Sequence, residues 1–281
     1  MLLPRFLTAL FGIPLILLVI WMGYLPYFFF VYAVIFLGLY EFYFLWTERG
    51  YNLDKIFGYI FGTLLLMSFY LNSVGLANPA VNEGTGLIFT VAILAYLTVN
   101  LFKSSRSATN VGTDSEKTYI NLVLTFWSII YVVWLLGHLI LLREIQPFGR
   151  EYTYLIFFTT WFSDTVAYSV GTKFGQYQLA KKISPKKTWE GAIAGFLTSL
   201  LVALLFKIIL LRQFSYLQAL LIGIILGIGG QLGDLTESFL KRQVGVKDSS
   251  SLLPGHGGIL DRFDSITFTA PLLYYYLRIF L

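Results

Sequence analysis

The chain has 281 residues, of which 57% are hydrophobic and 18% aromatic against only 12% charged. With a mean hydropathy of +0.73, that balance excludes an ordinary soluble domain, because so much apolar surface has no aqueous place to go. The absence of cysteine excludes disulfides and thiolate metal sites, and the net charge of +5 is spent on membrane orientation rather than on nucleic acid.

A membrane-crossing helix needs about 20 apolar residues, and nine stretches qualify: 6–22, 25–46, 56–71, 86–102, 119–142, 152–170, 189–211, 216–233 and 264–281. The expectation is an all-α polytopic membrane protein. Arg5 before an apolar run resembles a signal peptide, yet no small-residue cleavage site follows and eight further spans do, so the first stretch reads as an anchor. Sorting Lys and Arg by alternate loops places 15 on one side and 4 on the other. By the positive-inside rule, the N-terminus and the 171–188 and 234–263 loops face the cytoplasm and the C-terminus lies outside.

In the first five spans little chemistry is expected. Glu41, near the inner end of the second span, reads as a carboxylate reaching the interface, and His138 as a packed or interfacial ring. The loop 104–116 is rich in Ser, Thr, Asn and Gly and reads as flexible. No repeat of 20 to 50 residues and no heptad run is present, which removes solenoids and coiled coils. Residues 1–150 therefore read as membrane scaffold and 151–281 as the catalytic region.

From the sixth span onward, polar groups gather at the cytoplasmic ends. Asp164 lies about two turns inside the membrane from Gly171, a burial that costs on the order of 3 kcal/mol if unpaired. In AKKISPKKTWEG, Ser184 and Pro185 precede Lys186, Lys187 and Thr188, which are expected in the first turn of the seventh span, where cations and free N–H groups suit phosphate oxygens. If the eighth helix runs past the interface, Asp234, Ser238 and Lys241 share one face, with Glu237 at its border.

After it come Arg242, Lys247 and Asp248, then the turn Pro254-Gly255-His256-Gly257-Gly258, and then Asp261, Arg262 and Asp264 at the start of the last helix. Asp261 and Asp264, joined by Asp234, would make an oxygen-only site for Mg²⁺, which accepts a few carboxylates plus waters and substrate phosphates. His256, between glycines and beside this cluster, is expected to face substrate. A carboxylate-held Mg²⁺ among so many cations fits a polyphosphate substrate and phosphoryl or nucleotidyl transfer. One substrate would be a soluble nucleotide and the other a lipid in the bilayer. A transporter would instead place its charges near the midplane.

The stretch 238–264, SFLKRQVGVKDSSSLLPGHGGILDRFD, resembles the signature of the phosphatidate cytidylyltransferase (CDP-diacylglycerol synthase) family, from Ser-x-x-Lys-Arg through Lys-Asp to Pro-x-His-Gly-Gly-x-x-Asp-Arg-x-Asp. The surroundings of Asp164 and of 184–191 resemble it too, so the likeness spans about 155 to 281. The resemblance implies condensation of CTP with phosphatidic acid to CDP-diacylglycerol and pyrophosphate in a homodimer of the bacterial inner membrane. It names Asp234 and Asp261 as Mg²⁺ ligands, followed by Asp264 and Asp248, with a second, monovalent cation such as K⁺ beside the first. Asp234, Asp261, Lys247, Asp248 and His256 would be catalytic. Asp164, Ser184, Lys186, Lys187, Thr188, Ser238, Lys241, Arg242 and Arg262 would bind substrate. A CTP-using lipid kinase would share such a pocket but transfer the γ-phosphate, and the length of the signature argues against it. CDP-alcohol phosphotransferases are disfavoured by the absence of their run of spaced aspartates.

Overall fold

The computed structural model describes residues 3–73, 84–106, 113–250, 252 and 257–280. Each of the nine expected spans overlaps a helix: α1 (Leu3–Met22), α2 (Tyr24–Thr47), α3 (Lys55–Ser73), α4 (Gly84–Arg106), α5 (Thr113–Ser128) continuing through a π-helical turn (Ile129–Trp134) into α6 (Leu135–Arg143), α7 (Gly149–Phe174), α8 (Trp189–Ile209), α9 (Tyr216–Gln243) and α10 (Leu260–Phe280). Among the described residues, five helices are long and apolar enough to cross a membrane: Tyr24–Thr47, Lys55–Ser73, Glu116–Arg143, Trp189–Ile209 and Tyr216–Gln243. The helices α7, with Asp164, and α10, with Asp261 and Asp264, are not among these five.

One departure from an all-helical chain is a small antiparallel hairpin between α7 and α8, β1 (Gln178–Ala180) and β2 (Ser184–Thr188). It corrects the expectation that Lys186, Lys187 and Thr188 open a helix. They lie on β2, and α8 starts only at Trp189, because Thr188 is the N-cap: its hydroxyl accepts the Gly191 N–H at 3.2 Å. A threonine in extended conformation satisfies a helix's first free donors better than a residue already inside it.

Small residues let the last four helices approach closely, as membrane helices require when no water drives them together. A Cβ on Gly191 of α8 would lie 2.6 Å from the Ala167 carbonyl of α7, one on Gly223 of α9 would lie 2.9 Å from Leu200 Cα of α8, and one on Gly233 of α9 would lie 2.5 Å from the Asp264 carbonyl of α10. Hydrogen bonds stitch the same seams, with Ser163 donating to the Gly195 carbonyl (3.1 Å) and Gln231 to that of Ala192 (2.8 Å). The α9 N-terminus is closed by a reciprocal Ser215–Gln218 capping box.

A continuous buried core joins the two regions, with Leu39, Tyr43, Tyr131 and Leu136 packed in the same cluster as Phe157, Phe263, Ile266 and Leu273. His138 is fully buried and its ring meets Phe69, Trp134, Tyr274 and Tyr275. This is the packed role that the sequence suggests for it.

Candidate active site

The α9 helix does run ten residues beyond the expected span to Gln243, and this extension builds the site. Asp234, Glu237, Ser238 and Lys241 follow one another up one face, and the Ser238 hydroxyl reaches back to Asp234 Oδ1 at 3.4 Å. The carboxylates are met by cations from other elements. Lys187 on β2 places Nζ 2.5 Å from Asp234 Oδ2. Lys241 pairs with Asp261 of α10, and its Nζ also lies 2.5 Å from Glu237 Oε2, close in distance but without hydrogen-bond alignment.

These two pairs differ in access. The side chains of Lys187 and Asp234 are 26% and 30% exposed, whereas those of Lys241 and Asp261 are 12% and 6% exposed. The Lys187–Asp234 pair is therefore the one an incoming polar ligand meets first. The Lys241–Asp261 pair is the more enclosed of the two.

Asp261 is held from both ends. Its Oδ2 accepts the Ser249 N–H (2.9 Å), the Ser249 hydroxyl (3.0 Å) and the Gly258 N–H (2.8 Å), while Oδ1 takes the Lys241 ammonium. Burial alone would raise its pKa, yet Lys241 and the two N–H groups together hold this carboxyl below the usual range. The turn that brings the Gly258 N–H into place runs through Gly257 at φ +80°, where a side chain would be strained and would meet Asp261 Oδ2.

The remaining candidates fall around this core. Asp164 of α7 sits among the charges of the cluster, repelled by Asp234 and offset by Lys187 and Arg262. Asp264 lies within repulsive reach of Asp234, Glu237 and Asp164. Arg242 ties α9 to its surroundings by donating to the carbonyls of Ile183 (3.1 Å) and Val246 (2.9 Å). Lys186, Lys247, Asp248 and Arg262 are exposed, and Ser184 is half-buried on β2. His256 and Pro254 lie outside the described residues.

Among the described residues, no three His, Asp or Glu side chains converge closely enough to cage a metal. The donor set nevertheless suits Mg²⁺, which takes one or two carboxylates and completes its shell with water and substrate phosphate. Asp164, Asp234, Glu237, Asp261 and Asp264 gather within electrostatic reach of Lys187, Lys241 and Arg262. A lysine ammonium already sits where each of Asp234 and Asp261 calls for a cation.

The sequence reading misses two contributors from the first half. Glu41 does not reach an interface: it is fully buried, and its carboxylate accepts the Ser249 hydroxyl (3.0 Å), the Ser250 hydroxyl (2.7 Å) and the N–H groups of Ile259 (2.8 Å) and Leu260 (2.9 Å). Tyr131, in the π-helical turn, is buried with its hydroxyl unpartnered and feels the charges of Glu237, Asp264 and Asp234. π-helical turns are rare and favour functional sites, but an isolated sequence carries no sign of one. For Glu41 a sign exists, since an ionisable residue within an apolar span calls for a buried partner.

Residues 3–280 match the family of cytidylyltransferases. A phosphatidate cytidylyltransferase of Bacillus subtilis is 35% identical over 276 residues, covering 98% of this chain and 97% of its own. Two others match over about half of each chain: one from Staphylococcus saprophyticus, 48% identical over 132 residues (47% of this chain and 51% of that protein), and one from Synechocystis, 48% identical over 135 residues (48% and 46%).

Proposed function

Since the chain belongs to the cytidylyltransferase family, we propose that it is the membrane enzyme that condenses CTP with phosphatidic acid to give CDP-diacylglycerol and pyrophosphate. The observation that carries this reading is the pair of lysine–aspartate contacts, Lys187–Asp234 and Lys241–Asp261, set side by side at one end of α9.

The lipid phosphate attacks the α-phosphorus of CTP, forming the new P–O–P bond as the bond to the β-phosphate breaks and pyrophosphate leaves. No general base is required, because a phosphate monoester with a second pKa of about 6 is largely ionised at neutral pH. Catalysis then rests on positioning and on neutralising the charge that develops on the phosphoryl oxygens.

Asp234 and Asp261 would hold Mg²⁺, with Asp264 and Asp248 close by, and a second, monovalent cation would share the cluster. When bound, the metal supplies the positive charge that polarises the α-phosphoryl group. Lys187 and Lys241, released from those carboxylates, turn to substrate phosphate. Lys186, Arg242, Lys247 and Arg262 surround the polyphosphate with positive charge, and Ser184, Thr188, Ser238, Asp164 and His256 complete its contacts. The active site faces the cytoplasm of a bacterial inner membrane in a homodimer of nine-span subunits, so CTP arrives from water and phosphatidic acid from the leaflet.

The deciding experiment supplies purified protein with Mg²⁺, phosphatidic acid and CTP labelled at either the α- or the γ-phosphate. Transfer of the α-label to lipid is expected. Transfer of the γ-label would identify a lipid kinase instead.

A further inference from the structure

Helix α2 and the turn that follows it lie in the half of the chain that supplies no residue proposed to hold substrate or metal, yet together they grip the signature loop at two points. At the loop's start, Arg49 Nε donates to the Val244 carbonyl at 2.7 Å, and Gly245, at φ +73°, lies against the same guanidinium. Two turns earlier on α2, Glu41 takes four donors from the loop's far part. Oε1 accepts from the Ser250 hydroxyl and the Ile259 N–H, and Oε2 from the Ser249 hydroxyl and the Leu260 N–H. A Cβ on Gly258 would come within 2.5 Å of Glu41 Oε2, so the loop backbone packs directly onto this carboxylate.

Ser249 is the joint between Glu41 and the site. Its hydroxyl is 3.0 Å from Glu41 Oε2 and 3.0 Å from Asp261 Oδ2, and its N–H also donates to Asp261. A hydroxyl has one proton to give, so one carboxylate receives it at a time while the other is held by the neighbouring N–H groups. The Glu41–Ser249–Asp261 row sets the rotation of the Asp261 carboxyl and keeps Oδ1 turned to Lys241.

From this geometry we infer that Glu41 is a positioning residue for the reaction: from α2 it sets the orientation of Asp261 through Ser249 and the first turn of α10. The inference rests on the function proposed above. A purely structural cap would fix only the α10 N-terminus, whereas this carboxylate also governs the angle at which a reacting group is presented. A misplacement of about 1 Å at such a group costs roughly 100-fold in rate.

The test compares Glu41→Gln with the parent protein. The amide nitrogen would face one backbone N–H and one serine hydroxyl; the hydroxyl can turn to accept but the N–H cannot, so at least one of the four bonds must break and the others lose their charge, without loss of volume. The expected result is a kcat roughly 10- to 100-fold lower, with KM for phosphatidic acid and CTP within about threefold of the parent. Amide hydrogen exchange without substrate or metal provides the second readout. Exchange should accelerate at Ile259 and Leu260, which touch Glu41, and also at Ser249 and Gly258, whose N–H groups bond Asp261 instead. Faster exchange at Ile259 and Leu260 alone, or a kcat within about twofold of the parent, overturns the inference.

If Glu41→Gln does not fold, Ser249→Ala decides, since it removes the joining hydroxyl and leaves the bonds of Glu41 to Ile259 and Leu260. A kcat about threefold or more lower at unchanged Tm sustains the inference, and an unchanged kcat ends it. Should the parent protein fail to join CTP to phosphatidic acid, the function reading falls while the exchange pattern still judges the link from Glu41 to Asp261.

Discussion

Lys187 and Lys241 each contact an aspartate, and in the proposed reaction each would be shared between that carboxylate and a substrate that brings its own negative charge. This sharing separates the consequences of the two kinds of substitution. Asp261→Asn and Asp234→Asn remove a charge that the proposed metal would require, so turnover should fall by about 100-fold or more, equivalent to about 3 kcal/mol of transition-state stabilisation. The proteins should remain folded in detergent, and a mutant that recovers at high Mg²⁺ would move that aspartate outside the metal's immediate ligands. Lys187→Gln removes a charge-assisted contact worth about 1.5–3 kcal/mol, so kcat/KM for CTP should drop roughly 10- to 100-fold. Unchanged kinetics would leave Lys187 as a partner of Asp234 only. The roles proposed for these residues were legible one at a time, because charged side chains between apolar runs are conspicuous. Their pairing was not, since Lys187 and Asp234 are far apart in sequence and meet only after a strand and a helix cross.

Among the elements, α9 was the most readable. Its apolar run, its glycines and the spacing of Asp234, Ser238 and Lys241 all point to one long helix, and that helix is present. The hairpin at 178–188 was not readable, because three- and five-residue strands leave too short a pattern for period-2 alternation to register. Where glycine brings backbones together, a methyl group has nowhere to go. Gly233→Ala would set its Cβ against the Asp264 carbonyl and 3.2 Å from Ser265 Cα, both backbone atoms. Overpacking of that kind costs about 1–3 kcal/mol, and the Tm in detergent should fall by ~5 °C with activity lowered as well, since Asp264 must shift. An unaltered Tm would mean that α9 and α10 separate freely at this point.

For the molecule as a whole, the proposed chemistry requires the hairpin and the α9–α10 loop on one side of the membrane. Both lie together in the fold, since Arg242 of α9 bonds Ile183 of the hairpin. Ser250 is bonded to Glu41 and would report poorly, so the exposed Lys182 and Gln243 are the better probes. In a chain without cysteine, Lys182→Cys and Gln243→Cys should each react with an impermeant thiol reagent from the cytoplasmic side only. Labelling of both from outside would reverse the orientation drawn from the Lys and Arg count, and labelling from opposite sides would break the single-site arrangement.

By itself the sequence determined that this is a helical membrane protein and where its densest run of charged side chains lies, because hydropathy and charge are local quantities summed along the chain. It also carried the family, through a long run of polar residues at fixed spacing. Only the tertiary structure decided which cation meets which carboxylate, that Thr188 caps α8 from a strand, and that Tyr131 and Glu41 belong with the site. Each of these depends on contacts between residues distant in sequence. Glu41 is the clearest case: a carboxylate in an apolar span must be satisfied somewhere, but its partners lie more than two hundred positions away, and only packing α2 against α10 selects them.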